Sequence, residues 1–219
     1  MFDARYEVVL ADTPESKEIH FNLRYKVFCL EKGFEDASRF TSEMENDQYD
    51  DRAIHFLVRE PLTNRWIGAA RLVIDKVSAL PINHIADIEV PSNEKDAVVA
   101  EFSRLLVLDN FRQAQTKLAA EPEILLGLIR AARDYCLRQD IKSVLFLCRR
   151  SIHRILGNAG VDMLQIGAPC IHRGVRAPYL VDLERGFDRV FRPYSRAYQM
   201  FSRAHSYYYY SDLYSRQVA

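Results

Sequence analysis

The segment that decides the fold is HFLVREPLTNRWIGAARLVID, which runs from His55 to Asp75. Its two ends, His55–Arg59 and Trp66–Asp75, are apolar stretches with β-branched residues, which predict strands. Pro61-Leu62-Thr63-Asn64 lies between them and is a turn signal. The segment therefore predicts a β-hairpin in the first half of the chain.

Strand and helix patterns continue on both sides of this hairpin. Before it, Tyr6–Leu10 predicts a strand, and a helix begins at Pro14 and runs to about Leu30, with Ile19, Leu23, Val27 and Leu30 on one face. After it, the patterns predict strands over 101–108, 142–148, 163–171 and 179–183, and helices over 124–139, over 151–158 and from about Glu184. This order predicts one α/β domain with a mixed sheet over residues 1–219.

Composition excludes several classes of protein. The chain has 219 residues, of which 48% are hydrophobic, and this is enough for a packed core. Its 30 Lys and Arg balance 30 Asp and Glu, so a general nucleic-acid binder is not expected. No apolar run is long enough to cross a bilayer, and the N-terminus shows no signal-peptide pattern. The four widely spaced cysteines predict reduced thiols in a cytoplasmic protein.

The neutral total conceals two regions of opposite charge. Residues 142–219 carry 12 Lys and Arg against 5 Asp and Glu, a net charge of +7. The segment Glu31–Asp51 carries eight acidic and two basic residues. We expect an acidic and a basic region on the surface, which bears on partners more than on fold.

Metal and nucleophile motifs are weak in this sequence. The six histidines have no metal-binding spacing, so no metal site is predicted. There is no nucleophile-elbow motif and no phosphate-binding loop motif. Cys148 together with a histidine could form a thiol nucleophile, although an inert buried cysteine is the commoner interpretation at a strand end.

Three polar clusters are candidates for chemistry: Leu23–Phe28, Glu43–Asp50 and Glu101–Arg104. Arg24 and Phe28 are one helical turn apart and share a face. If 101–104 is a strand, Glu101 and Ser103 point to one side while Phe102 and Arg104 point to the other. Each cluster taken alone also fits a surface ion pair.

Taken together, the clusters resemble a known family. Arg24 with Phe28, Gly33-Phe34, Asp47-x-x-Asp50, Gly68-Ala69-Ala70-Arg71-Leu72 and Glu101-x-Ser103-Arg104 are similar in order and spacing to the autoinducer synthase (acyl-homoserine lactone synthase) superfamily. That superfamily has the GNAT acyltransferase fold and includes N-acyl amino acid synthases. The segment 166–179, IGAPCIHRGVRAPY, resembles the branch associated with exosortase/PEP-CTERM systems. The resemblance implies a GNAT-like αβα sandwich with a mixed, mostly antiparallel central sheet.

Two departures from the family pattern affect the co-substrates. Lactone synthases typically have Trp in place of Phe34, in the region that contacts S-adenosylmethionine. The segment Asp109–Pro122 has no glycine, whereas acetyl-CoA enzymes of this fold hold the pyrophosphate on a Gly-rich turn. We therefore expect no bound cofactor, and a donor thioester on the phosphopantetheine arm of an acyl carrier protein.

The resemblance implies an N-acyltransferase that moves a fatty acyl group from acyl carrier protein to a small amine, such as an amino acid. Glu101 would accept the ammonium proton, and the candidate catalytic residues are Glu101, Ser103 and Arg104. Arginines would bind an anionic co-substrate, and aspartates would orient these arginines or bind the amine. Two phenylalanines would line the pocket. The candidate substrate-binding residues are Arg24, Phe28, Phe34, Asp47, Asp50 and Arg71.

The charge pattern also predicts a docking patch. Arg149, Arg150 and Arg154 lie together where a strand runs into a short helix, and Arg150 and Arg154 share a helix face. An acidic carrier protein could bind there, although a solvated basic face explains the pattern equally well. Two alternatives remain for the whole chain: an acyl-homoserine lactone synthase using S-adenosylmethionine, and a non-catalytic lipid- or metabolite-binding module of an exosortase-linked system.

Overall fold

A computed structural model describes residues 2–108, 120–195, 197–203 and 205–215. The chain forms two compact units. Unit 1 comprises Met1–Arg71, Arg104–Ala131 and His205–Ala219. Unit 2 comprises Leu72–Ser103 and Ala132–Ala204. The expectation of a single domain stays a prediction.

Strands and helices alternate along the chain, as predicted. The strands are β1 (Glu7–Leu10), β2 (Ala53–Glu60), β3 (Arg65–Lys76), β4 (Val98–Val107), β5 (Ser143–Cys148), β6 (Leu164–Gln165), β7 (Cys170–Ile171), β8 (Val175–Asp182) and β9 (Tyr208–Tyr209). The α-helices are α1 (Pro14–Arg24), α2 (Ala120–Arg138), α3 (Arg150–Ala159), α4 (Tyr198–Phe201) and α5 (Tyr210–Ser215). None of the helices in the described part of the chain is long and apolar enough to cross a membrane.

The sheet of unit 1 is built on the predicted hairpin. Its strands lie in the order β3-β2-β1-β9. Residues 61–64 join β2 to β3, and so short a connection requires antiparallel strands. β1 pairs antiparallel with β2, from Glu7 opposite Arg59 to Leu10 opposite Phe56, and parallel with β9. The sheet is therefore mixed.

Helix α1 begins as the sequence predicts. Thr13 caps it, because its side chain accepts a hydrogen bond from the Ser16 amide while the Ser16 hydroxyl accepts one from the Thr13 amide. A π-helical segment, Tyr25–Glu31, continues it. The predicted apolar face does not extend to Leu30: Leu23 and Val27 are buried, but Leu30 is 62% exposed. A wider turn rotates each later residue away from the face set by α-helical spacing.

The sheet of unit 2 is also mixed. Its strands lie in the order β6-β8-β5-β4, and β7 pairs with β8 outside this path. β4 and β5 are parallel, while β8 is antiparallel to β5, β6 and β7. The β4–β5 ladder pairs Ala100–Phe102 with Val144–Phe146, and β5 then continues for two more residues to Cys148.

Two late elements differ from the prediction. The expected strand over 163–171 is instead two strands of two residues, β6 and β7. Between them, the backbone of Gly167 packs so closely on the Asp87 carbonyl that a Cβ would lie 2.2 Å from it, and Pro169 has no amide to donate. The helix expected from Glu184 is wrong, because only a 3₁₀ turn, Arg185–Phe187, forms there. Arg133 anchors this turn by donating to the Leu183 carbonyl and lying 4.8 Å from the Phe187 ring.

Candidate active site

Unit 1 contains a cluster of three arginines and three carboxylates. It is called here the ion cluster and consists of Arg24, Glu45, Asp47, Asp50, Arg71 and Arg104. These residues come from α1, from the loop before β2, from β3 and from β4. Five of them are sequence-predicted site residues, and the structure brings all five together. Glu45 is the sixth member, which the sequence analysis did not single out.

Arg24 is the innermost member of the ion cluster, with a side chain that is 0% exposed. Its Nε donates to Glu45 Oε2 at 2.5 Å, and its Nη1 donates to Asp50 Oδ1 at 2.6 Å. Its Nη2 is buried and has no hydrogen-bond partner among the described residues. Although burial opposes it, the charges of Glu45 and Asp50 raise the pKa of Arg24.

Asp50 links the buried arginines. Its Oδ1 also accepts a hydrogen bond from Arg71 Nη1 at 3.0 Å, and its Oδ2 accepts the backbone amide of Asp47 at 2.7 Å. Burial alone would raise the pKa of Asp50, but Arg24 and Arg71 hold it well below the ordinary range for a carboxyl. Asp50 is therefore a permanent anion that the two arginines share.

Asp47 and Arg104 form the accessible side of the ion cluster. Their side chains are 26% and 13% exposed, whereas those of Arg24, Arg71, Glu45 and Asp50 are at most 4% exposed. Arg104 Nη2 donates to Asp47 Oδ2 at 2.9 Å and to Glu45 Oε1 at 3.0 Å. Arg104 has a φ of 52°, so the simple alternation expected of a strand is interrupted there.

The two predicted pocket phenylalanines contact each other. The rings of Phe28 and Phe34 stack with centroids 6.4 Å apart. The Arg104 guanidinium lies 5.8 Å from the centroid of Phe28, within the range of a cation–π interaction. Phe28 belongs to an apolar cluster of unit 1, against which Phe34 packs. An aromatic surface thus adjoins the accessible side of the ion cluster.

Two buried histidines lie behind the ion cluster. Their rings are 4.5 Å apart, and each Nε2 lies 3.2 Å from a backbone carbonyl, that of Ala70 for His20 and that of Asp50 for His55. A neutral ring must carry its proton on Nε2 to donate to these carbonyls. Burial is the main cause that lowers the pKa of His55 to about 4 and that of His20 well below its ordinary value, and the charge of Arg24 acts in the same direction on both. Both histidines are therefore neutral at pH 7.

Glu101 and Ser103 belong to unit 2 and precede Arg104 on β4. Glu101 is 3% exposed, and its Oε2 accepts a hydrogen bond from the Ile82 amide at 2.7 Å. This bond fixes the carboxylate against the short 3₁₀ helix Pro81–His84. Glu101 lies in the part of β4 that pairs with β5. Its role as a base stays a prediction.

The predicted docking arginines lie at the start of α3. Arg149 precedes the first residue of the helix, Arg150 is that residue, and Arg154 lies one turn later. All three are exposed.

Burial raises the pKa of the neighbouring Cys148 thiol to about 12. Because the thiolate is the nucleophile, the interpretation of Cys148 as an inert buried residue is favoured.

Sequence reasoning missed Glu45, His20 and His55. Glu45 lies in the acidic segment Glu31–Asp51, and no local feature of the sequence distinguishes it from the exposed Glu43. His20 lies four residues before Arg24 on α1, which places both on one face, and this spacing was the available signal.

No group of His, Cys, Asp and Glu in the described residues is arranged to hold a metal ion.

Comparisons with known proteins agree with the predicted fold. Residues 23–120 match a family described as an acetyltransferase (GNAT) domain. The CoA-dependent acyl-homoserine lactone synthase BjaI, solved with SAM and isopentyl-CoA, is 24% identical, with a TM-score of 0.61 over 87% of this chain and 91% of that chain. The AHL synthase LasI is 18% identical, with a TM-score of 0.62 over 85% and 93%. No curated protein sequence matches the chain.

A third structure has a different product class. FeeM, an N-acyl amino acid synthase from uncultured soil microbes, is 12% identical, with a TM-score of 0.58 over 84% of this chain and 95% of that chain. The matches confirm the GNAT-like fold and the structural likeness to the autoinducer synthases. They support an acyltransferase without distinguishing its substrates.

The bridging role of Glu45 gives a stability prediction. Glu45→Gln should lower the free energy of unfolding by on the order of 3 kcal/mol, because Arg24 loses one of its two buried counter-charges. In addition, the NH2 group of the Gln side chain would face arginine N–H groups, and two donors cannot form a hydrogen bond. Urea denaturation measures this loss. The control is Glu43→Gln, which alters an exposed side chain two residues away and should change stability by less than about 0.5 kcal/mol. Equal effects of the two variants would contradict the bridging role.

The buried histidines predict a loss of stability in acid. Between about pH 6.5 and pH 4 the unfolded chain binds protons at His20 and His55 that the folded chain does not, so stability falls as pH falls. Each histidine contributes up to about 1.4 kcal/mol per pH unit. His20→Gln and His55→Gln, which keep a donor at the Nε2 position, should each flatten the slope of unfolding free energy against pH. His205→Gln, at an exposed site, should leave it unchanged; an unaltered slope in the first two variants would refute the assignment.

Proposed function

We propose that this chain, which has the GNAT fold of the acyl-homoserine lactone synthases, is an N-acyltransferase that transfers a fatty acyl group from a thioester to the amine of an α-amino acid. The observation that carries the proposal is the charge balance of the ion cluster. Its three guanidinium groups face three carboxylates, and only one of each, Arg104 and Asp47, is accessible to solvent.

This balance bears on what the site can bind. An isolated anion would find no excess positive charge, because Arg24 and Arg71 are buried against carboxylates. An α-amino acid carries a carboxylate and an ammonium group on one carbon, and it matches an accessible cation beside an accessible anion. Arg104 would take the carboxylate through its planar guanidinium, and Asp47 would take the ammonium group. Arg24, Arg71 and Asp50 then act as positioning residues.

The chemistry requires that the ammonium group lose a proton before it attacks. In the proposed reaction Glu101 accepts that proton, the amine nitrogen forms a bond to the thioester carbonyl carbon, and the carbon–sulfur bond breaks. Ser103 and Arg104 follow Glu101 on β4. Backbone amides at the end of the short β4–β5 ladder are candidates to polarise the carbonyl. The nitrogen loses its second proton as the amide forms, and this proton balances the one taken up by the departing thiolate.

The donor we propose is an acyl carrier protein. Its support is the exposed Arg149, Arg150 and Arg154 at the start of α3, which suit an acidic partner. BjaI is described as CoA-dependent, so a CoA thioester is the competing donor. The sequence predicts that Asp109–Pro122 has no pyrophosphate-binding turn. Residues 109–119 lie outside the described part of the chain, so this stays a prediction.

A second candidate function is acyl-homoserine lactone synthesis. S-adenosylmethionine also carries an α-amino acid group, so the pair of Asp47 and Arg104 fits it equally well, and several similar structures are such synthases. Lactone synthases typically have Trp at the position of Phe34, which in this chain stacks on Phe28. This difference argues for an acceptor other than S-adenosylmethionine.

One experiment separates these candidates. The purified protein is incubated with acyl-carrier donors and acyl-CoA donors of several chain lengths, in parallel with pooled amino acids and with S-adenosylmethionine, and products are identified by mass. An N-acyl amino acid supports the proposal, and an acyl-homoserine lactone supports the second candidate. No product from any carrier or CoA donor would favour a non-catalytic binding module.

Glu101→Gln should lower turnover by about 10²–10⁴-fold, the usual effect of removing a positioned base. The amide oxygen of Gln can still accept the Ile82 amide, so the fold and donor binding should persist. Steady-state kinetics on folded protein measure the loss. Glu89→Gln, at an exposed position, is the control and should retain full turnover. Full activity of Glu101→Gln across neutral pH would remove Glu101 from the mechanism.

The double charge reversal Arg150→Glu and Arg154→Glu should raise KM for an acyl-carrier donor several-fold while kcat changes little. The reason is that the reversal removes the electrostatic attraction between this patch and the acidic carrier protein. An acyl-pantetheine donor, which lacks the carrier's acidic helix, should be affected far less. The control is the same reversal at the exposed Arg185 and Arg192, which should leave both donors unaffected. Equal losses with both donors would show that the patch does not bind the carrier protein.

A further inference from the structure

Two buried histidines bind main-chain carbonyl groups at the ion cluster. His20 Nε2 lies 3.2 Å from the carbonyl oxygen of Ala70, the residue before Arg71, and His55 Nε2 lies 3.2 Å from that of Asp50. Because a carbonyl oxygen can only accept a hydrogen bond, each Nε2 carries a proton and donates it. The two histidines therefore hold the main chain at Asp50 and next to Arg71.

Asp50 and Arg71 both bind Asp47, the accessible carboxylate of the ion cluster. Arg71 Nη1 donates to Asp47 Oδ1 at 2.6 Å, and Asp50 Oδ2 accepts the Asp47 amide at 2.7 Å. The other carboxylate oxygen of Asp47 accepts Arg104 Nη2 at 2.9 Å. The position of Asp47 relative to Arg104 therefore depends on the main chain that the histidines hold.

Packing alone does not account for the two histidines. His20 belongs to α1 and His55 to β2, and their rings are in contact, with centroids 4.5 Å apart. Both residues are at most 1% exposed. The Nδ1 atom of each ring is buried and has no hydrogen-bond partner among the described residues, which costs free energy. An apolar side chain of similar size would fill the same space without this cost.

We propose that His20 and His55 are positioning residues for acceptor binding, which fix Asp47 beside Arg104 through the carbonyl groups that they bind. This inference rests on the proposed function, in which Asp47 takes the ammonium group of the acceptor and Arg104 its carboxylate. Neither histidine contacts the acceptor. Without an Nε2 donor the main chain beside the ion cluster shifts, and the two charges no longer match the acceptor. The thioester is assigned to the β4–β5 ladder of unit 2, so its binding is unaffected.

The test measures KM for the acceptor amino acid and KM for an acyl-pantetheine donor in variants of each histidine. His20→Asn, His55→Asn and the apolar variants His20→Leu and His55→Leu all lack a donor at the Nε2 position. We expect each to raise acceptor KM at least about tenfold, while donor KM stays unchanged. His20→Gln and His55→Gln place an amide donor near the Nε2 position and should restore acceptor KM. His205→Asn, at an exposed site of unit 1, is the control and should change neither value.

Three results with an active wild-type protein would overturn the inference and leave the proposed function standing. They are an unchanged acceptor KM in the Asn and Leu variants, an equal rise in donor KM, or Gln variants as impaired as the Asn variants. An equal rise would indicate a general structural role, and impaired Gln variants would show that the Nε2 donor is not what matters. A wild-type protein without turnover on any donor and acceptor would instead remove the proposed function, and this inference with it.

Discussion

Unit 1 depends on the carboxylate of Asp50, which two buried guanidinium groups share. Arg24 ends α1 and Arg71 lies on β3, so this one carboxylate joins a helix and a strand. Each charge would be costly to bury alone, and the pairs persist because nearly every charged atom has a partner. The Asp47 amide completes the arrangement by donating to the second Asp50 oxygen, which fixes the loop before β2.

In the proposed function, the same arrangement would make the accessible side of the ion cluster selective for an amino acid. Because the buried arginines and carboxylates neutralise one another, the field at the accessible side comes mainly from Asp47 and Arg104, which are only 2.9 Å apart. An incoming amino acid must replace this contact with two of its own, one to each charge. A ligand with one charge would replace this contact for only one member of the pair. The other member would keep its second partner, Arg71 for Asp47 or Glu45 for Arg104, but would lose one bond in a partly desolvated place, which costs free energy.

Local patterns in the sequence predicted the elements that depend on local interactions. The hairpin over 55–75, the start of α1 at Pro14 and the β5 strand agree with prediction, because turn residues, a capping box and an apolar run act within a few residues. The exposure of Leu30 and the short β6 and β7 strands did not follow, since a π-helical turn and the contact of Gly167 with Asp87 depend on packing.

The candidate site divides in the same way: the sequence indicated which arginines and aspartates matter but not which carboxylate each arginine binds. Glu45 could not be separated from Glu43, because only the fold turns one inward. The histidines add a further constraint. His55 Nε2 donates to the Asp50 carbonyl and lies 4.0 Å from Asp50 Oδ1. A proton on either histidine would add a fourth positive charge to three arginines and compete for Asp50. The balance of the ion cluster, and with it the orientation of Asp47 and Arg104, therefore depends on both histidines remaining neutral.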